Sequence, residues 1–504
     1  MRYATILLIA FGLIAFAGCS RKPVPELVEN TSTPSVTATR EPTVSTVASA
    51  TRTSAPQPSL TPTLKVILPP QPFLGIHVDR MDKAEKAELF RGSGAIWSRR
   101  DYAQWEKIEP VNSSPQDYNW DTVLEANLIA AVEDGHETIM NILFTPAWAQ
   151  KYPGVACGPI SEDALDDFAE FMAALVSRYS QPPYNVRYWE IGNEPDIDRT
   201  LVDSQSIYGC WGEKDDPYYG GKYYGEMLNI VYPAVKGADP ESQLIVGGLV
   251  LDCDPVNPPE ITKDSGQLRD CTSSKFLEGI LEAGAGDSFD GVSFHAYDYY
   301  YGDLGVYGNE GWHSAATTTG PVLIAKSRFL KSLLTQYGFP QKELLNTELA
   351  VLCGKDGKEA TCRDVDFTDT KANYIAQSNA AAHAEGLRVN MWYSLTGWRG
   401  SGLVDEGLEP LPAYQAYQFS ATQLENAVPL GPVLEFEGIQ GYRFQKENKT
   451  IWLIWSRDLV PHAINLPTQP QTIYNVYGQR VAGFEPPSLE LTVTENPVYL
   501  EWYK

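Results

Sequence analysis

Positive charge is what this sequence has too little of. Across 504 residues, 39 Lys and Arg face 64 Asp and Glu, for a formal net charge of −25. With no basic patch to neutralise phosphates, nucleic acid and anionic lipid headgroups are excluded as partners, and a neutral substrate is expected. Histidine is scarce, with six in the chain. Neither a CxxC spacing nor a partnering His cluster occurs, so no metal is expected. Long apolar runs are missing too: residues 6–17, behind Arg2, are too short to span a bilayer comfortably and read as an export signal.

Cysteine is sparing but patterned. Cys19 follows Ala17-Gly18, which resembles the lipobox of bacterial lipoproteins, with Phe16 where leucine is usual. The resemblance implies a signal peptide over residues 1–19, lipidation of Cys19 and anchoring to the outer face of the cell membrane, with plain secretion as the alternative. The six other cysteines form an even set, which in an exported chain suggests disulfides. Six cysteines allow 15 connectivities. The locally cheapest closures join Cys253 to Cys271 and Cys353 to Cys362, leaving Cys157 with Cys210.

Residues 20–70 are rich in Ser, Thr and Pro with almost no aromatics, so they bury too little surface to fold and are expected to be a disordered tether. From there the pattern is α/β. Apolar runs at 73–78, 95–99, 138–144, 187–191, 244–250, 291–295, 344–348 and 388–393 alternate with amphipathic stretches. Eight strands with eight connections predict a (β/α)8 TIM barrel over residues 71–427. Strict alternation then takes over, as in Ile451-Trp452-Leu453-Ile454-Trp455, and predicts a small antiparallel, β-sandwich-like domain over 428–504, packed against the barrel.

Chemistry concentrates at the strand ends. The fourth run leads into Gly192-Asn193-Glu194-Pro195, which places an Asn and a Glu at the C-terminal mouth of the barrel, where such enzymes keep their catalytic groups. Asn-Glu-Pro there resembles the clan A glycoside hydrolases. The resemblance implies Glu194 as general acid/base and Asn193 as a contact to the sugar 2-hydroxyl. It also implies a nucleophilic Glu at the end of the seventh strand, where Leu344-Leu345-Asn346-Thr347-Glu348 supplies Glu348. Two carboxylates across the scissile bond are what glycoside hydrolysis requires, one to protonate the leaving oxygen and one to attack carbon. The neighbouring negative charge is expected to raise the pKa of Glu194.

Further matches extend the resemblance. Arg99, with Arg100 as the register alternative, resembles the clan's arginine beside the nucleophile. His295 and Tyr297, in Phe294-His295-Ala296-Tyr297, resemble its His-x-Tyr. Trp392 resembles the aromatic platform beneath the sugar, and Thr145-Pro146-Ala147-Trp148 looks like the end of the third strand in family 39. Family 39 and a divergent family 5 are the nearest patterns. Glu190, deeper on the fourth run, reads as a buried ion-pair partner of Arg99, and Glu109, Asp196 and Asp298 as structural charges. Tyr218, Tyr219, Tyr223, Tyr224 and Trp211 fit sugar subsites and inward packing equally. The expected function is retaining hydrolysis of β-glycosidic bonds in oligo- or polysaccharides, with carbohydrate as partner and no cofactor. An inactive, surface-tethered carbohydrate-binding protein on the same barrel is the alternative.

Overall fold

The computed structural model describes residues 72–260, 270–481 and 489–504. The export signal, the lipidation site Cys19 and the Ser/Thr/Pro-rich tether lie outside the described residues. Among the described residues no helix is long and apolar enough to cross a membrane.

Eight parallel strands close into a barrel: β1 (Leu74–Ile76), β2 (Trp97–Gln104), β3 (Glu137–Leu143), β4 (Tyr188–Asn193), β5 (Gln243–Leu249), β6 (Gly291–Tyr300), β7 (Glu343–Leu352) and β8 (Val389–Trp392). Each pairs with its successor, and β8 pairs back onto β1 through Leu74 opposite Asn390 and Ile76 opposite Trp392. These strands are covered on both faces, which is why they read in the sequence as unbroken apolar runs. The helices supply the outer cover. Leu165–Tyr179 buries Leu165, Phe168, Met172, Leu175 and Tyr179, the stripe that its periodicity predicts.

One element was not foreseen. β6 runs on beyond the barrel rim and pairs with a short hairpin, Tyr307–Asn309 with Ser314–Ala315, which stands over the mouth.

The barrel interior is layered. Trp97, Ile139, Tyr188, Ile245, Leu345, Val389 and Met391 form an apolar floor. Because side chains alternate along a strand, the residues two places further on also face inward. They are Arg99, Asn141, Glu190, Gly247, Thr347 and Tyr393, so a polar layer lies directly above the floor and beneath the mouth.

The C-terminal residues form a five-stranded antiparallel sheet and a two-stranded one, as the alternation predicts. Ile454, Ile464, Leu491, Val493 and Leu500 make a core between them. The other face of the larger sheet joins the barrel's own core through Tyr442, Phe444, Leu453, Trp455 and Tyr499. The His383 ring sits between Phe73, 4.6 Å away, and Phe444, 5.5 Å away, and ties the start of the barrel to the sheet.

Candidate active site

Glu194 stands where β4 breaks from extended geometry. Gly192 and Glu194 both take positive φ, 80° and 54°, and the Glu194 amide donates to the carbonyl of Gly248 at 2.9 Å. A left-handed glutamate is uncommon and costs about 1 kcal/mol or more, so the neighbouring structure has to hold it there. Asp196 does so from beneath, accepting the amides of Val250 and Leu251 at 2.9 Å each. Lys326, only 4% exposed, donates to the carbonyls of Val250 and His295 at 2.6 and 2.8 Å. Burial pushes the Glu194 carboxyl up to about 7, against the opposing pull of Arg99 and Lys326. The rise is therefore present, but desolvation causes it and not a neighbouring negative charge, whose effect falls on Glu348.

His295 meets Glu194 through Nδ1 at 2.8 Å. Burial lowers its pKa to about 4, so the ring is neutral near pH 7. Among the described residues Nε2 has no hydrogen-bond partner. A Cβ at Gly248 would lie 2.2 Å from that nitrogen, so glycine is required beneath the ring. An orphaned N–H costs more than an orphaned lone pair, which favours the tautomer whose Nδ1–H donates to Glu194.

Glu348 reaches the mouth through a bulge. Phe294 faces Asn346 in the β6–β7 ladder, but His295 faces Glu348, so Thr347 is the extra residue. Thr347 and Glu348 can then both serve the interior, which strict alternation would forbid. Arg99 organises what they meet. Its Nη1 donates to Glu348 at 2.8 Å, its Nη2 to Asn193 Oδ1 at 2.7 Å, and its Nε to Glu190. Glu190, fully buried, also accepts from Asn141, Ser293 and Thr347. The Tyr297 hydroxyl donates to the other oxygen of Glu348. Burial raises the Glu348 carboxyl, opposed by protonated His295, by Arg99 and by the Tyr297 hydroxyl. Near pH 7, with His295 neutral, Arg99 is the counter-charge that persists.

One oxygen of Glu194, one of Glu348 and a nitrogen of His295 lie within 4.8 Å of one another. Two carboxylates and an imidazole could hold a divalent ion. Here Nδ1 is engaged by Glu194 and the guanidinium of Arg99 already balances Glu348.

Other expectations fare differently. Arg99, and not Arg100, bonds Glu348, although both line the cavity beside it. Trp392 needs correction: it is 1% exposed, its indole N–H donates to Ser401, and its ring faces Tyr374 in the helical layer. Met391 is the inward residue of β8, so parity sends Trp392 outward and presents no ring face to a ligand. Tyr393 lines the cavity instead, and Trp398, 47% exposed, stands 6.2 Å from the Tyr297 ring. Trp148, half-buried, lines neither cavity beside the carboxylates; its indole N–H donates to the Glu109 carbonyl and its ring packs edge-on against Trp105. Tyr219, Tyr224 and Trp211 are buried, with Tyr224 bonded to the Ile191 carbonyl, so packing explains these three, while Tyr218 and Tyr223 are half-buried. Glu109 and Asp298 accept from Trp105 and from Val322 with Tyr374.

Besides Tyr393 and Trp398, three positions at the mouth escaped the sequence reading. His77, just after β1, bonds the Thr347 carbonyl at 2.8 Å and lines the cavity beside Glu348. Its place after the first strand was the available signal. Ile207 lines the same cavity, and Tyr208 lies close enough to both carboxylates for their charge to raise its phenol, after burial.

The cysteines pair as Cys157–Cys210, Cys253–Cys271 and Cys353–Cys362, the pairing of cheapest closures. All three fasten segments that follow barrel strands. The first spans 53 residues and pins the stretch carrying Ile207 and Tyr208; chain entropy makes it worth roughly 4 kcal/mol against about 2.5 for the shortest loop.

No protein-family model matches the chain, and no curated protein matches it. Solved structures do. A family 39 glycoside hydrolase from the gut symbiont Bacteroides cellulosilyticus WH2 is similar over 86% of this chain and 80% of its own, at 19% identity and a TM-score of 0.62. A monomeric β-xylosidase from Caulobacter crescentus CB15 is similar over 86% and 97%, at 14% identity and 0.54. A conserved exported protein from Bacteroides fragilis is similar over 85% and 97%, at 12% identity and 0.57. At such identities the likeness shows a shared fold, the parallel eight-stranded barrel followed by an antiparallel β domain.

Proposed function

We propose that the chain is a retaining glycoside hydrolase acting on β-linked oligo- or polysaccharides, with Glu348 as nucleophile and Glu194 as acid/base. The observation that carries this reading is the closeness of the two carboxylates, with an oxygen of each within 4.8 Å of the other. Retaining enzymes place the pair about 5–5.5 Å apart, whereas inverting ones need about 6.5–9.5 Å to admit a water. At the shorter separation the carboxylate itself attacks the anomeric carbon. Glu194 protonates the departing oxygen, a glycosyl ester forms on Glu348, and Glu194 then deprotonates the water that releases it. Arg99 and Tyr297 keep Glu348 ionised and aimed, while His295 fixes one oxygen of Glu194. Arg99 occupies the Asn193 carbonyl, which leaves that amide's N–H groups to meet a sugar hydroxyl. The chain is further read as exported, in keeping with three disulfides, and as tethered through Cys19.

The test is a panel of chromogenic glycosides and plant polysaccharides, followed by proton NMR of the first-formed product. Retained anomeric configuration is expected. An inverted product would overturn the mechanism, and binding without turnover on any glycoside would favour the inactive carbohydrate-binding alternative.

The pH profile follows from the burial of the pair. The first step needs Glu194 protonated and Glu348 ionised. Because desolvation lifts Glu194 to about 7, kcat/KM should fall as pH rises through that value. Asp196 is also lifted to about 7 by burial, so the assignment rests on a variant. In Glu194→Ala, assayed with a dinitrophenyl glycoside, the alkaline limb should vanish; its persistence would assign the limb elsewhere.

A further inference from the structure

Two cavities flank the carboxylate pair. One, of about 270 Å³, is lined by Glu348, Asn193, Arg99, His77 and Tyr393. The other, of about 390 Å³, lies on the Glu194 side and holds residues that the chemical steps do not use: Tyr299, Tyr301, Asp252, Asn309 and Glu310.

Its lining has an order. Along one face of β6 come Ser293, His295, Tyr297 and Tyr299, and the chain just beyond the strand adds Tyr301. The first bonds Glu190, the second Glu194, the third Glu348. Tyr299 and Tyr301 continue the stripe outward at about 6.6 Å per step and are 39% and 47% exposed. Opposite them, the unforeseen hairpin is zipped to the segment after β5. The Asp254 amide donates to Gly311 at 2.9 Å and the Trp312 indole N–H to the Leu251 carbonyl at 2.6 Å. A Cβ on Gly311 would lie 2.6 Å from the Asp252 carbonyl, so glycine permits the closure. The Cys253–Cys271 disulfide fastens the same segment.

Resting on the proposed hydrolase reading, we infer that this cavity is a built site for a neutral saccharide leaving group. Half-exposed tyrosine rings cover the C–H face of a pyranose. Asp252, Glu310 and the Asn309 carbonyl oxygen accept from its hydroxyls; the Asn309 amide nitrogen is committed to the Tyr297 carbonyl. The two carboxylates outnumber the one cation of the lining, Lys326, whose ammonium is committed to the carbonyls of Val250 and His295, and so repel a uronate in the same place. The oxygen freed from the anomeric carbon takes the proton of Glu194 and departs with this unit.

The experiment compares kcat/KM for xylotriose, cellotriose and mannotriose with that for the 2,4-dinitrophenyl glycoside of the matching sugar, whose leaving group needs neither protonation nor a sugar site. In the double variant Tyr299→Ala, Tyr301→Ala the trisaccharide-to-dinitrophenyl ratio should fall roughly 100-fold, about tenfold per lost stacking contact. Residual dinitrophenyl turnover reports that the variant is folded. A second variant, Glu310→Lys, should improve a substrate with a uronate in the leaving position relative to its neutral counterpart by about tenfold. A ratio unchanged within threefold, or wild-type protein that cleaves dinitrophenyl glycosides but no oligosaccharide, overturns the inference while leaving the hydrolase reading intact. Wild-type protein inert on every glycoside overturns both.

Discussion

Replacing Glu348 with glycine is expected to lower turnover on every substrate by more than about 10⁴-fold, because no other group can form the glycosyl ester. Azide added to that variant should occupy the vacated side of the anomeric carbon and yield a glycosyl azide of inverted configuration. Glu194→Ala should behave differently. Its first step survives on leaving groups that need no proton, so a dinitrophenyl glycoside should keep a rapid burst while ordinary glycosides lose about 10²–10⁴-fold. Azide then attacks the ester on Glu348 and gives a product of retained configuration. Product NMR and burst kinetics check both. Equal tolerance of the two substitutions, or the opposite azide stereochemistry, would contradict the assignment.

Arg99→Met is expected to damage stability and activity together. The guanidinium is 2% exposed and bonded to Glu190, Glu348 and Asn193, so its loss strands a fully buried carboxylate and a nearly buried one. Breaking a buried ion pair from one side costs about 3–5 kcal/mol. Urea denaturation should show that loss. Adding Glu190→Gln should restore part of it, since the uncompensated charge is removed, without restoring turnover. The residual activity should have its acid limb at higher pH, because a nucleophile without its cation is harder to ionise. A stability change under 1 kcal/mol would show that the ion-pair network does not carry this load.

The eight strands were legible because parallel strands covered on both faces cannot hide their apolar runs. The meeting of Glu194 and Glu348 at the mouth was legible because the first directly follows β4 and the second lies in the C-terminal half of β7, although β7 runs four residues further than its apolar run suggests. What the sequence withheld was orientation. At Trp392 all four strand residues are buried, so nothing in their polarity shows which parity faces inward. The bulge at Thr347 is equally silent, since it depends on how β6 and β7 pair and not on the residues of either strand. Trp148 was placed at the mouth by its Thr-Pro-Ala-Trp setting, yet its indole turns to the Glu109 carbonyl. The hairpin after β6 escaped notice because its strands are only three and two residues long.

The His383 ring, held between Phe73 and Phe444 and bonded to the Ala427 carbonyl at 2.7 Å, bears on how such a chain can be recombined in evolution or by design. Phe73 opens the barrel and Phe444 belongs to the final sheet, so one imidazole joins the two ends of the described fold. Modules that shuffle between proteins carry self-contained cores and polar outer faces. Here the face that would have to be polar contributes Tyr442, Leu453, Trp455 and Tyr499 to the barrel's own interior. The sheet and the barrel therefore form a single packing unit. A chimera exchanging one without the other would have to redesign that whole seam.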